Sequence, residues 1–414
     1  MIPDTRPGCV PATLAARLPA AFMAVLVAAL LASCTTSDTV ATIGGDGGAG
    51  PGPACTGDAL PALIDGAGNP VCAGERAAGV FRRALCACQE ITINESLLAD
   101  SFDSREGAYR PGGAGGHVAT NGKLESTGPV EVTGDLTVTG DPGVRVRPTL
   151  TVTGDLRTPG ILDGVTTAVT IGGSADVGGD VTLAELAVTG TLRVPAEATL
   201  AVSGTLTQGA LERAPVDVAA PCPCDPADRL DVTGMVTAHA GANDNDAIGL
   251  DSAALSNFEV DTALALPCGR FFLDRVQSNQ GNLTVTVTGH AALFIGEAIT
   301  LGRSLTIDLA PGAELDLFIA DHINVAGDLR IGAPAEPART RVYVGGAGGI
   351  NLSAARVLAA NVYAPLIDMS FSAGAEIFGA AFVGRIVASG PMRIHHDSSV
   401  RGAASTCPAA PDSV

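Results

Sequence analysis

Two histidines and a carboxylate stand together in Ile394-His395-His396-Asp397, a set that binds metals or moves protons when the side chains converge. On a strand, successive side chains point to opposite faces, so His395 and His396 separate and only His395 shares a face with Asp397. The tract has no nucleophile and no third ligand. The expected role is therefore structural, with Asp397 closing a turn through backbone N–H groups and His395 packed beside it. A second set of oxygen ligands lies in "GANDNDAIGLD", whose Asp244, Asp246 and Asp251 are the metal candidates and calcium the ion they suit. The stretch lacks the glycine and closing glutamate of an EF-hand loop and does not match the Gly-rich calcium nonapeptide, so a solvated loop without a cofactor is expected.

Cysteine is the third source of chemistry. Ten occur, of which Cys9 falls in an apolar leader and Cys34 ends it. The other eight, Cys55, Cys72, Cys86, Cys88, Cys222, Cys224, Cys268 and Cys407, are an even set of disulfide candidates whose pairing the sequence leaves open. Cys86-x-Cys88 and Cys222-x-Cys224 also have the composition of a four-thiolate zinc site. One-residue spacers and an oxidising compartment weigh against that alternative.

The leader decides the compartment. Arg6 and Arg17 precede the apolar run at 20–32, which is short for a membrane span and suited to a signal-peptide core. Leu31-Ala32-Ser33-Cys34 resembles the lipobox of bacterial lipoproteins. That resemblance implies cleavage after residue 33, a diacylglyceryl group on Cys34, and a mature protein held in the cell envelope, on the outer membrane, by its acyl chains. The net charge is −19 and Lys123 is the lone lysine. With no clustered cations in the sequence, nucleic acid is excluded as a partner.

The chain divides by composition. The Gly/Ser/Thr/Pro-rich 34–54 reads as a flexible tether. In 55–115 the tract "GERAAGVFRRALCACQEI" places Ala77, Val80, Phe81, Ala84 and Leu85 at helical spacing, which predicts a small helical cap stapled by disulfides. From 116 to 214 one phrase recurs, beginning with Val132-Thr133-Gly134-Asp135-Leu136 and Val152-Thr153-Gly154-Asp155-Leu156. Versions begin at Val188 and Val202, and again beyond the Pro-rich 215–226 at Val232 and Val325. Each reads as strand, glycine corner, strand.

Short strands, glycine corners, alternating Leu/Val and Thr, and few aromatics predict an all-β parallel β-helix, as one continuous or two abutting rods, with 222–406 as its C-terminal domain. The intervals Val138 to Val152 and Val188 to Val202, 14 residues each, suggest the coil length. A β-sandwich is the alternative, although it wants longer strands and more core aromatics.

The C-terminal residues Tyr363-Ala364-Pro365, Gly379-Ala380-Ala381 and Ile394-His395-His396-Asp397, with "LPCGRFFL" and "AELDLFIADHI" upstream, resemble a domain of unknown function found in exported bacterial surface proteins and in some pilus-associated ones. His396 stands where that pattern has Tyr. The likeness spans about 222–400, and the repeats at 130–206 resemble bactofilin-type β-helices. Both resemblances imply a β-helical fold at a cell surface, and neither implies catalytic residues.

The expectation is a lipid-anchored structural or adhesive protein without catalysis, meeting other envelope proteins or polysaccharide. The alternative is an envelope polysaccharide lyase or hydrolase on the same scaffold, against which stand dispersed acids and sparse aromatics. A Thr row at Thr284, Thr286 and Thr288 suggests an ice- or crystal-binding face, but most other coils break such a row.

Overall fold

The computed structural model describes residues 40–43, 62–348, 350–351 and 357–406. The leader, Cys34, Cys55 and Cys407 lie outside the described residues. Among those described, no helix is long and apolar enough to cross a membrane.

Alternation writes the coils. In Leu283–Val287 the residues Leu283, Val285 and Val287 are buried while Thr284 and Thr286 face solvent, as a period of two requires. Parallel pairing then stacks like on like: Leu136 on Leu156, Val132 on Val152, Leu305 on Leu329. The result is a parallel β-solenoid of about 13 turns, and the only antiparallel pairing among the described strands is the hairpin of Ala62–Ile64 with Pro70–Cys72. The tube between the strands is filled by Leu, Val and Ile, and a void among Leu255, Leu273 and Leu293 holds about 10 Å³, so the interior there is a packed core and not a channel.

The order of coils in space differs from their order in the chain. Strand Ala41–Ile43 lies on Thr262–Leu266 at one end, and coils built from 262–397 follow in sequence. Their last strands, Ala381–Ala388 and Met392–Asp397, then pair with Leu85–Ala87, Ile91–Ile93 and Leu97–Phe102. From there the coils of 85–213 continue to an exposed last strand, Leu206–Arg213. After the end strand Ala41–Ile43, the chain enters the middle of the solenoid at Leu85, winds to one end, returns through 214–261 to the other, and winds back until its last strands meet the coil that begins at Leu85. Of the one continuous or two abutting rods expected from the sequence, the structure has one ladder with a seam.

Four expectations are corrected. The interval of 14 residues is not a coil: Val152 stacks on Val132, and corner contacts recur every 19 or 20 residues in this region. Val138 and Val152 sit on different faces of the same tube. The phrase at Val232 is no strand but the helix Val232–His239, because Asp231 caps it by accepting the Gly234 N–H at 2.8 Å and Val232, Met235, Val236 and His239 share its buried face. The helical cap is a single helix, α1 (Ala73–Val80); Ala84 and Leu85 belong to the first coil, where burial on a strand overrides the helical spacing. Finally, Ala41–Ile43, placed by composition in the tether, is a strand, since the coil that begins at Thr262 offers the β-branched Thr42 and Ile43 an unpaired edge. The helix at Val232–His239 is α2 hereafter.

The repeated phrase is a corner. Asp135 Oδ1 accepts the N–H of Asp155, Asp155 Oδ1 accepts that of Ser174, and Ser174 Oγ accepts that of Thr191, each contact passing to the next coil. A Cβ at Gly154 would strike Asp135 and the backbone of Gly134, which is why the glycine precedes the acid. Coils of 262–397 repeat the device with Asp261, Asn282, Ser304 and Asp328.

Candidate functional site

His395, His396 and Asp397 lie at the seam, whereas Asp244, Asp246 and Asp251 do not. His395, in Met392–Asp397, pairs in register with Asp100 of Leu97–Phe102. Its Nδ1 lies 2.6 Å from Asp100 Oδ1 and its Nε2 lies 3.2 Å from Glu376 Oε1. The other Asp100 oxygen accepts from Tyr109 Oη at 2.7 Å and from the Gly112 N–H at 3.0 Å. Burial works to raise the Asp100 pKa, and the bonds from His395, Gly112 and Tyr109 outweigh it and hold the carboxyl below its usual range. Burial, with Asp100 adding to it, pushes the Tyr109 hydroxyl upward. Tyr109 and Phe378 cover the imidazole at 4.1 and 4.8 Å. Its nitrogens face carboxylates and its ring is packed, so the group ties coil to coil.

The neighbours of His395 divide as the strand dictates. His396 faces the other way, fully buried, with Nε2 3.1 Å from the Phe81 carbonyl. Burial depresses its pKa to about 4. Asp397 does not meet His395; it accepts the N–H groups of Ser104, Ser399 and Ala338 where the last strand turns.

Of the calcium candidates, Asp244 takes the N–H of Arg270 at 2.8 Å and its guanidinium at 3.3 Å. Asp251 accepts the Ala253 N–H of its own turn, and Asp246 is exposed. Among the described residues no group of three His, Cys, Asp or Glu side chains converges as a metal site. The zinc alternative is overturned: Cys86 is bonded to Cys222 and Cys88 to Cys224. Cys72 and Cys268 are disulfide-bonded as well.

Those two bridges fasten the return segment over one outward face of the solenoid. On that face one register position carries Phe272, Phe294, Phe318, Tyr343, Tyr363 and Phe382 in successive coils, followed across the seam by Cys86 and Ala119. Phe294, Phe318 and Tyr343 stack at 5.0 and 4.6 Å, and His239 of α2 lies flat on Phe294 at 3.8 Å. Helices α1 and α2 and the return segment bury the ladder as a second core outside the tube. Each such ring contributes up to about 3 kcal/mol of apolar burial. Beyond Ala119 the same position becomes Thr137, Arg157, Asp176, Arg193 and Glu212, half-exposed and alternating in sign.

A buried charge cluster lies two residues before the aromatics, on the same face of the strands. Arg341 donates to Asp316 at 2.7 and 2.9 Å, to Glu314 at 2.9 Å and to the Ala338 carbonyl at 3.1 Å. Burial opposes its charge, and Asp316 and Glu314 reverse that and hold the guanidinium protonated. Sequence reasoning passed over Asp100, Asp316 and Arg341. The available signal was an acid inside an otherwise apolar strand, as in "LLADSF" and "ELDLFI", since buried carboxylates require partners.

No curated protein and no solved structure matches the chain. Residues 223–403, which contain the aromatic ladder, Arg341 and the His395 strand but not the coils of 85–213, match the family model of a domain of unknown function, DUF7305.

Proposed function

We propose that the protein is a lipid-anchored, non-catalytic scaffold of the cell envelope, in which acyl chains on Cys34 hold a β-solenoid at the membrane for contact with other envelope proteins or polysaccharide. One observation carries this reading: the polar clusters around His395, Arg341 and Asp397 are spent in holding the fold. His395 and Asp100 join coil to coil, Arg341 neutralises two acids, and Asp397 closes a turn. Anchoring rests on the Leu31-Ala32-Ser33-Cys34 tract, which lies outside the described residues.

Fractionation tests it. The wild-type protein is expected in the detergent-soluble membrane fraction, and Cys34→Ala in the precursor form or released. Wild-type protein in the soluble fraction, or cleavage of an envelope polysaccharide by the purified chain, would contradict the proposal.

A further inference from the structure

At the seam, where the aromatic ladder gives way to the charged one, the surface opens into a cleft of about 560 Å³, within the range of small-molecule sites. Arg82, Arg83, Arg157 and Arg401 line it, with Asp135 its one acid. That concentration stands out in a chain of net charge −19. Arg157 is matched by Asp155 at 2.6 Å. Among the described residues no carboxylate lies within ion-pair distance of Arg82, Arg83 or Arg401; the one contact between them is Arg401 donating to the Arg82 carbonyl at 2.7 Å. Arg83 is only partly exposed, and burial, then the charges of Arg82 and Arg401, lower its pKa. Three like charges held together with Asp135 as the one carboxylate acting on Arg83 cost electrostatic energy that an anion would relieve.

The remaining walls narrow the ligand class. His117 Nδ1 accepts the Asp135 N–H at 3.0 Å, so that nitrogen is unprotonated and the ring uncharged; Asp135 Oδ1 accepts the Asp155 N–H, and its Oδ2, half-exposed in the cleft lining, lies 3.4 Å from His117 Nδ1. Thr137 adds a hydroxyl, and Val80, Pro221 and Pro223 add apolar surface. A bare inorganic anion has no use for an acceptor or for apolar walls; a polyhydroxylated anion uses both.

We propose that this cleft binds an acidic sugar, its carboxylate or phosphate held by Arg83 and Arg401 and its hydroxyls by Asp135 and Thr137. The site is built from five separate stretches of chain, α1 with its following arginines, the first coils, the return segment, Phe382 of the returning strand and residue 401, so it exists only when the seam is closed. It lies mostly outside 223–403 and is a property of this chain's own arrangement.

Calorimetric titration of the intact purified protein tests it with three probes: trigalacturonate for the carboxylate, glucose 6-phosphate for the phosphate, and maltotriose as the uncharged control. One or both anions are expected to bind, more weakly as salt rises, and maltotriose to bind at least tenfold more weakly. Arg83→Gln is expected to weaken the anion about tenfold. Thr137→Glu, at a half-exposed ladder position that tolerates a charge, is expected to do the same and decides the matter if Arg83→Gln does not fold. Absence of binding by both anions, equal binding of maltotriose, or undiminished affinity in a folded Thr137→Glu variant would overturn the proposal.

Discussion

The coils of 85–213 and those of 262–397 share one tube of stacked aliphatics and one corner device, yet they dress it differently. In 261–341 a coil takes 21 to 25 residues between corner or ladder contacts and in 341–397 17 to 20; one outward face carries aromatics, and Arg341, Asp316 and His395 are buried while pairs such as Arg275–Glu297 stay exposed. In 85–213 the first coil takes 33 residues and the later ones 17 to 20, and the outward faces carry rows of alternating sign, Arg157–Asp176–Arg193–Glu212 on one and Glu125–Arg145–Asp163 on another. The inner ladder dictates neither choice. What differs is the cover: helices α1 and α2 and the return segment lie over the aromatic rows and stop near the seam. An outward position becomes apolar where something covers it and charged where water does.

The largest expected effect breaks the cover. Each bridge closes 136 residues, and replacing Cys86, Cys88, Cys222 and Cys224 together by Ala is expected to cost about 4–5 kcal/mol in urea unfolding. Replacing one pair costs much less, because the other still closes the same loop. Next, charges should matter unequally in the two regions. Arg341→Ala leaves Asp316 and Glu314 buried without a partner and is expected to lose about 3–5 kcal/mol. Arg193→Ala, on the exposed row, is expected to lose under about 1 kcal/mol. Equal losses would erase the distinction between the regions.

The seam adds a pH dependence. His396 is neutral in the folded protein, with a pKa of about 4 against an unfolded value near 6.5, so the unfolded chain binds the extra proton first. Stability is complete above about pH 6.5 and declines as pH falls toward 4, by about 3 kcal/mol in all. Urea titrations at pH 7 and 5 are expected to show this slope, and His396→Gln to flatten it. The smallest effect tests likeness instead of difference: Asp155→Ala and Asn282→Ala each remove a corner acceptor and are expected to cost about 1 kcal/mol alike.

Much of the fold was legible because a period of two is written directly in tracts such as "LTVTV". The coil length was not, because Val138 and Val152 look equivalent in sequence while a corner separates them in space. The helix at Val232–His239 was hidden for the opposite reason, as its phrase matches the corners until Asp231 caps it. Of the site residues, the division of His395 from His396 followed from strand geometry alone. Asp100, the partner of His395, stands 295 residues away, and no local pattern specifies a contact made by a chain that returns to its own first coil.

That return is the central claim, and a cysteine pair across the seam tests it directly. Val387 and Thr92 are partners in adjacent parallel strands, both half-exposed on the outside, so Cα positions fall within reach of a short dithiol cross-linker. In the Thr92→Cys, Val387→Cys variant the account predicts one new intramolecular link joining the peptides that contain residues 92 and 387. Unlinked thiols at both positions in the folded variant would contradict it, since two rods that merely abut in chain order keep these residues on different bodies.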